Sequence, residues 1–300
     1  MRILVPVDGS NHSRKVLQFL AARRTLLGSS PTIDLVNVQH SVPAAVMQFL
    51  DLQAVRSASE AEGRKVFDAI KADVDLSGLE PEEKVILGDA GTAIAEEADR
   101  TEADLIVMGT RGLNPVKGLF LGSVSTSVLA HTKTPLLLIR NDTPVPETSD
   151  VKVGIAVDGS ENGIAAVEYV LSNAEFFGPN ATFEIIHATP AYHTLLSTSA
   201  YMVDTIGPLV TEKEFNDGQE KLFEEAVGPA VDLFRAAGLP CEARHLTGDA
   251  AVAIAEYADK NLDMLVMGSH GRGNFSSAVM GSTAMHIAAE TKAPILIVRK

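Results

Sequence analysis

Apolar residues along this chain fall in short unbroken runs, and amphipathic stretches separate them. Ile3–Val7 is apolar throughout, as a strand buried on both faces requires. Ser10 reads as the N-cap of a helix carrying Val16, Phe19, Leu20 and Leu26-Leu27, which Gly28 stops. Ile33–Val38 is a second strand, Ala54–Val74 a helix, and Lys84–Leu87 a third strand. Asp89 caps a helix through Arg100, Leu105–Met108 is the fourth strand, Ser123–His131 a helix, and Pro135–Arg140 the fifth strand. The same alternation follows with strands at Val153–Val157, Phe183–His187, Glu242–Leu246, Leu262–Met267 and Pro294–Arg299. Five strands alternating with four helices, twice over, predict an α/β chain of two tandem doubly wound five-stranded parallel sheets.

The chain repeats itself in residue identity as well as in pattern. ILVPVDGS at Ile3–Ser10 recurs as VGIAVDGS at Val153–Ser160, and GDAGTAIAEEAD at Gly88–Asp99 recurs as GDAAVAIAEYAD at Gly248–Asp259. Met108-Gly109 returns as Met267-Gly268, and Thr132–Pro135 as Thr291–Pro294. The offset starts at 150, rises to 160 and settles at 159, so the second copy carries ten extra residues between Asp158 and Gly248. A repeat this long is a duplicated domain. Residues 1–140 form the first copy and 151–300 the second, and the Pro-containing polar stretch 141–150 links them. The terminal strands of the copies, Leu136–Ile139 and Ile295–Val298, would be hazardous as bare edges, so the halves are expected to pair through them as a pseudo-dimer.

Composition narrows the partners. The 300 residues are 46% hydrophobic and 21% charged, which excludes wholesale disorder. A net charge of −14 disfavours generic binding to nucleic acid or to an anionic membrane. The single Cys241 forms no internal disulfide and fits a reducing compartment. The apolar part of the first ten residues is too short for a signal peptide, and no apolar run approaches the ~18 residues that span a bilayer, so a cytoplasmic location is expected.

Candidate chemistry gathers at strand carboxyl ends, where open α/β sheets bind ligands. Asp8 and Asp158 follow the first strand of each copy. After the fourth strand comes Gly109-Thr-Arg-Gly112, nine residues, then Gly122-Ser123; its counterpart is Gly268-Ser-His-Gly271, nine residues, then Gly281-Ser282. The glycines and serine persist while most of the filler differs. A phosphate needs bare backbone N–H groups at close range and the positive end of a helix dipole, and glycine permits that approach. An adenine or ribose would then lie toward Asp8, whose carboxylate accepts from amino or hydroxyl groups.

This constellation resembles the universal stress protein family over nearly the whole chain, as two tandem domains. The V-x-V-D-G-S opening, the G-D-A helix start and above all the G-x2-G-x9-G-S motif carry the resemblance, and the last looks like the ATP-binding subclass. The resemblance implies an adenine nucleotide α-hydrolase-like fold with strand order 3-2-1-4-5, ATP (or AMP or ADP) with Mg between the first and fourth strands, and pairing through the fifth strand. It places Pro6, Val7, Asp8 and Val38 around the adenine, Met108 and Gly109 at the ribose, Arg111 and Gly112 along the phosphates, and Gly122, Ser123, Val124 and Ser125 closing over them. In the second copy the matching positions are Ala156, Val157, Asp158, Ala188, Met267, Gly268, His270, Gly271, Gly281, Ser282, Thr283 and Ala284. Ala188 is smaller than Val38 and Ala284 lacks the hydroxyl of Ser125, so the first site is expected to bind more tightly.

Other residues carry less. Lys117 reads first as a solvated lysine of a glycine-rich loop, with contact to a γ-phosphate as the alternative. His270 has Arg111 in its equivalent slot, and arginine is a poor base, so no histidine is required in both copies. His187, His193 and His245 show no ligand spacing and read as unrelated to a site. Asp89 and Asp249 read as helix caps rather than metal ligands. The apolar segments Met47–Leu50 and Tyr201–Val203 sit in loops that either cover a nucleotide, meet a partner or bury against their own domain. The leading function is a nucleotide-dependent sensor or regulator in a stress response, with an unidentified protein partner and, beyond the pseudo-dimer, room for a homodimer of tandem chains. A slow ATPase or nucleotidyl-transfer enzyme and a scaffold with a vestigial pocket remain alternatives, although the chain has no G-x4-G-K-[ST] loop.

Overall fold

The computed structural model describes residues 1–24, 27, 31–42, 51–110, 121–144, 150–194, 210–271 and 280–300. The strands of the first half are β1 (Arg2–Pro6), β2 (Thr32–Gln39), β3 (Glu82–Leu87), β4 (Leu105–Gly109) and β5 (Leu136–Ile139). Those of the second half are β6 (Lys152–Ala156), β7 (Thr182–Thr189), β8 (Cys241–Thr247), β9 (Met264–Gly268) and β10 (Ile295–Val298). The helices are α1 (Asn11–Ala22), α2 (Leu52–Asp73), α3 (Ala90–Thr101), α4 (Ser123–His131), α5 (Glu161–Ser172), the single turn α6 (Ala174–Phe177), α7 (Glu212–Ala236), α8 (Ala250–Asn261) and α9 (Ser282–Glu290).

The unbroken apolar runs feed two cores by alternation. Ile3, Val5 and Val107 pack on one face of the sheet with Val16, Phe19, Phe67 and, in the second half, Val167 and Phe234. Leu4, Ile106 and Met108 pack on the other face with Ile94, Val128, Ile254 and Ile287. Helices α1, α2, α5 and α7 therefore cover one face and α3, α4, α8 and α9 the other, giving three layers.

Each half has the strand order 3-2-1-4-5, but the two expected sheets are one. Their order is β3-β2-β1-β4-β5-β10-β9-β6-β7-β8, parallel within each half and joined by a single antiparallel pair. Leu138 faces Ile295, Leu137 faces Leu296 and Leu136 faces Ile297 across the joint, so two fully buried apolar edges cover each other. Two arginines, one just after each fifth strand, reinforce it. Arg140 Nη1 donates to the Ala289 carbonyl near the end of α9, at 2.6 Å, and Arg299 Nη1 donates to Leu129 O and Thr132 O at the end of α4. Each thereby satisfies carbonyls that the other half's last helix leaves unpaired.

A second cross-contact corrects one element. Helix α1 ends at Ala22, not at Gly28. The next residue, Arg23, is 1% exposed and donates through Nη2 to Phe176 O at 2.9 Å and Phe177 O at 3.3 Å in α6. Burial pushes this guanidinium down to about 10. A contact 153 residues away thus sets the local chain direction, which no helix-stop rule anticipates. The ten extra residues are also narrowed: Gln39 and Thr189 still pair at an offset of 150, whereas Gly88 and Gly248 are 160 apart, so the insertion lies between β7 and the end of β8.

Candidate functional site

The chain reverses direction of winding where β1 lies beside β4, and likewise β6 beside β9, and the site in each half is built at the carboxyl ends of those pairs. After β1 and β6 the backbone turns through Gly9 and Gly159, each with φ +77°, a conformation glycine adopts at no steric cost. That turn brings the following serine amide back to the aspartate: Ser10 N donates to Asp8 Oδ1 and Ser160 N to Asp158 Oδ1, both at 3.0 Å. The same serines cap α1 and α5.

The loop after β9 closes on this aspartate. A Cβ on Gly271 would stand 2.5 Å from Asp158 Oδ2, and one on Gly268 would stand 2.7 Å from the backbone of Asn162 in α5. Glycine at both places is therefore a condition of close approach rather than of a special turn. The far end of the loop is pinned as well: Gly281 N donates to Ser269 O at 2.8 Å, and in the first half Gly122 N donates to Thr110 O at 2.6 Å.

Helices α4 and α9 start differently from the other helices longer than one turn. Helices α1, α2, α3, α5, α7 and α8 each begin on a Ser, Thr or Asp whose side chain accepts a first-turn N–H. Helices α4 and α9 begin on Gly122 and Gly281 with no side-chain cap. Their first N–H groups and positive dipole ends face the site without a carboxylate or hydroxyl capping them.

In the second half these parts enclose a cavity of about 320 Å³. All twelve residues named for that copy line it: Ala156, Val157, Asp158, Ala188, Met267, Gly268, His270, Gly271, Gly281, Ser282, Thr283 and Ala284. Ala156, Ala188, Ile254 and Ile287 give its wall apolar surface, and Asp158, Gly271, Gly281, Ser282 and Thr283 give it polar groups. No described lining residue is Lys or Arg. His270 is half-buried, with Nδ1 3.0 Å from Ser269 Oγ.

Five lining residues escaped the sequence reading: Gly163, His187, Ala250, Ile254 and Ile287. His187 corrects an expectation, since it had been set apart from any site. Its Nδ1 donates to Val157 O at 2.7 Å, the place taken in the first half by Asn37 Nδ2, which donates to Val7 O at 2.8 Å. The signal was present as the one-to-one match of 37 with 187. His245 does stand apart: it stacks on Phe223 at 4.5 Å and joins Thr189 Oγ1 to Glu220 Oε2, tying α7 to the sheet.

In the first half β1 runs parallel to β4, Ile3 beside Leu105 and Leu4 beside Ile106, so Pro6, Val7 and Asp8 lie at the same end of the sheet as Gly109, and α4 starts at Gly122. Val38 and Val124 are half-buried against the core that includes Met108. Ser123 is exposed at the helix start. Ser125 is a correction: it is 2% exposed and its hydroxyl donates to Gly109 O at 3.0 Å, a bond that spends the donor on the fold. Its replacement by Ala284 therefore does not weaken the second site in the way expected. Arg111, Gly112, Lys117, Met47–Leu50 and Tyr201–Val203 lie outside the described residues. Asp89 and Asp249 are helix caps, accepting from Thr92 N and Val252 N. Among the described residues no group of three or more His, Cys, Asp or Glu side chains is arranged to hold a metal ion, and no helix is long and apolar enough to cross a membrane.

Comparison with known proteins places this geometry. The model of the universal stress protein family matches residues 1–140 and again residues 151–299. A universal stress protein of Mycolicibacterium smegmatis is 25% identical over 313 aligned positions, covering 99% of this chain and 96% of its own. A universal stress protein of Thermus aquaticus is 33% identical over 139 positions, covering 46% of this chain and 97% of its own. Among solved structures, a universal stress protein from Archaeoglobus fulgidus superposes with a TM-score of 0.64 at 22% identity, covering 99% of this chain and 98% of that one, a likeness of fold.

Proposed function

The chain belongs to the universal stress protein family, and from that premise we propose that it binds an adenine nucleotide in each half and acts as a nucleotide-dependent regulator in a stress response. The observation that carries this reading is the cavity at the carboxyl ends of β6 and β9, whose wall combines apolar side chains, the Asp158 carboxylate and an uncapped helix start. A nucleotide presents the matching chemistry: an apolar base, a hydroxyl-bearing sugar and an anionic tail. The base packs between Ala156, Ala188 and Ile254, and the phosphates meet the N–H groups of the glycine loop and of α9. A volume of about 320 Å³ is at the lower end of small-molecule sites.

ATP is the ligand we favour, because Gly271 and the Ser282–Thr283 start of α9 both line the cavity and offer donors to an extended phosphate tail. With no carboxylate and imidazole cluster among the described residues to cage a cation, magnesium would arrive on the phosphates, as it commonly does. The role in regulation, rather than turnover, rests on the want of a shared base: His270 in the second half answers to Arg111 in the first. One feature favours a second reading, slow hydrolysis confined to the second half, namely the His270 imidazole in the cavity wall, held 3.0 Å from the buried Ser269 hydroxyl behind it.

Freshly purified protein, denatured and analysed for released small molecules, tests the binding reading: adenine nucleotide supports it, and a chain that neither releases nor takes up any adenine nucleotide refutes it. Incubation with Mg-ATP separates the two roles. ADP or AMP accumulating in wild type but not in His270→Ala would establish the hydrolytic reading instead.

A further inference from the structure

The two sites differ at the residue next to the aspartate, on the first turn of the following helix. In the first half that residue is Ser13, 5% exposed. Its hydroxyl donates to Asp8 Oδ1 at 2.6 Å and accepts from Asp8 N at 3.0 Å. In the second half the same position is Gly163, and it lines the cavity.

Nothing in the fold demands glycine there. A Cβ on Gly163 would meet Asp158 Oδ1 and Val157 Cα at 3.5 Å and Asp158 N at 3.6 Å, which are ordinary contacts. Its backbone N–H keeps the helix cap, donating to Ser160 Oγ at 3.2 Å. A side chain at Gly268 would meet the backbone of Asn162 and one at Gly271 would displace the Asp158 carboxylate, whereas one at Gly163 makes only ordinary contacts. The absence of a side chain leaves Gly163 itself in the cavity wall beside Asp158.

Asp158 sits where the sugar of a nucleotide would lie. Its Oδ2 faces Gly271 of the glycine loop and its Oδ1 faces Gly163, and all three line the cavity. A carboxylate carries about four acceptor sites and pairs readily with adjacent hydroxyls. Resting on the nucleotide-binding reading, we infer that Gly163 is a specificity-determining position that makes the second site selective for ribonucleotides. With no side chain at 163, a ribose hydroxyl reaches Asp158 from the side that Ser13 occupies in the first half. In the first half the protein supplies that donor itself, so the first site tolerates a deoxyribose.

The test uses the full chain with the first site disabled by Gly122→Val, titrated with ATP and with its 2′-deoxy and 3′-deoxy analogues. The expected result is a preference of at least about tenfold for ATP over one of the analogues, the scale of one hydrogen bond to a charged group. Gly163→Ser in this background should cut the preference to about threefold or less while leaving the deoxy analogue bound. The reciprocal chain, Ser13→Gly with Gly281→Val, should acquire a preference that its Ser13 parent lacks. Ratios unmoved by both exchanges in chains that still bind ATP would overturn this inference and leave nucleotide binding standing. Failure of either parent to bind any adenine nucleotide would overturn both.

Discussion

Gly271→Ala should damage the second site while sparing the fold. The new methyl would lie 2.5 Å from Asp158 Oδ2, well inside ordinary carbon–oxygen contact. Gly271 does not occupy the left-handed region, so alanine brings no backbone strain there. The obstacle is the end of a side chain, and the carboxylate swings away. It then gives up either its bond from Ser160 N or its place in the cavity. One hydrogen bond to a charged group is worth about 1.5–3 kcal/mol, so ATP binding at this site should weaken roughly 10- to 150-fold. Gly271 is exposed, and global stability should change by less than about 0.5 kcal/mol. Gly268→Ala is the contrasting control. Its methyl meets the carbonyl carbon and oxygen of Asn162 at 2.7 Å, backbone atoms that move only if α5 moves, and the cost should be about 1–3 kcal/mol of stability. Calorimetric titration with ATP in the Gly122→Val background and urea unfolding read the two effects separately. Unchanged ATP affinity in Gly271→Ala, or a stability loss equal to that of Gly268→Ala, would refute the placement of Asp158 against the loop.

Two further outcomes concern the frame. Arg140→Ala and Arg299→Ala each strip a donor from carbonyls at the end of the opposite half's last helix, and each should lower the urea-unfolding stability by about 1–3 kcal/mol; a change under 0.5 kcal/mol in both would show that the strand pair alone holds the seam. Glu184 is buried beside Lys152 Nζ at 2.8 Å and Tyr257 OH at 2.6 Å. Burial alone would raise its carboxyl, but the hydrogen bonds from Lys152 and Tyr257 outweigh it and hold the group below the usual range. A carboxyl lowered in the folded state contributes stability above its unfolded pKa of about 4.3, and that contribution drains away as pH falls through the folded value. Wild type should therefore lose stability below about pH 4.3 more steeply than Glu184→Gln in pH-dependent urea unfolding. Equal acid slopes would contradict the assignment.

Much of this was written in the sequence where burial is two-sided or where a residue repeats. Strands such as Leu105–Gly109 declare themselves because both faces are covered, so every position is apolar. At the sheet edge the signal thins: β3 begins at Glu82, two residues before the expected start, because Glu82 and Glu83 are exposed. All twelve second-copy positions that the family resemblance implied share one cavity, and the glycine spacing among them reports close backbone approach, a local property. The end of α1 and the use of the Ser125 hydroxyl were hidden because each depends on a partner elsewhere, Phe176 O in one case and Gly109 O in the other. His187 and Gly163 were missed for a different reason. Their meaning lies in how they differ from Asn37 and Ser13, and a search for similarity passes over differences.

The central claim is that the two glycine loops and the helix starts beyond them hold an adenine nucleotide. Equilibrium titration of the full chain with ATP tests it most directly, run on wild type, Gly122→Val, Gly281→Val and the double variant. The account predicts saturable binding in wild type, a reduced stoichiometry in each single variant, and none in the double variant while its urea-unfolding midpoint stays close to wild type. Binding that survives in the double variant, or a wild-type chain that takes up no ATP, ADP or AMP, would contradict it.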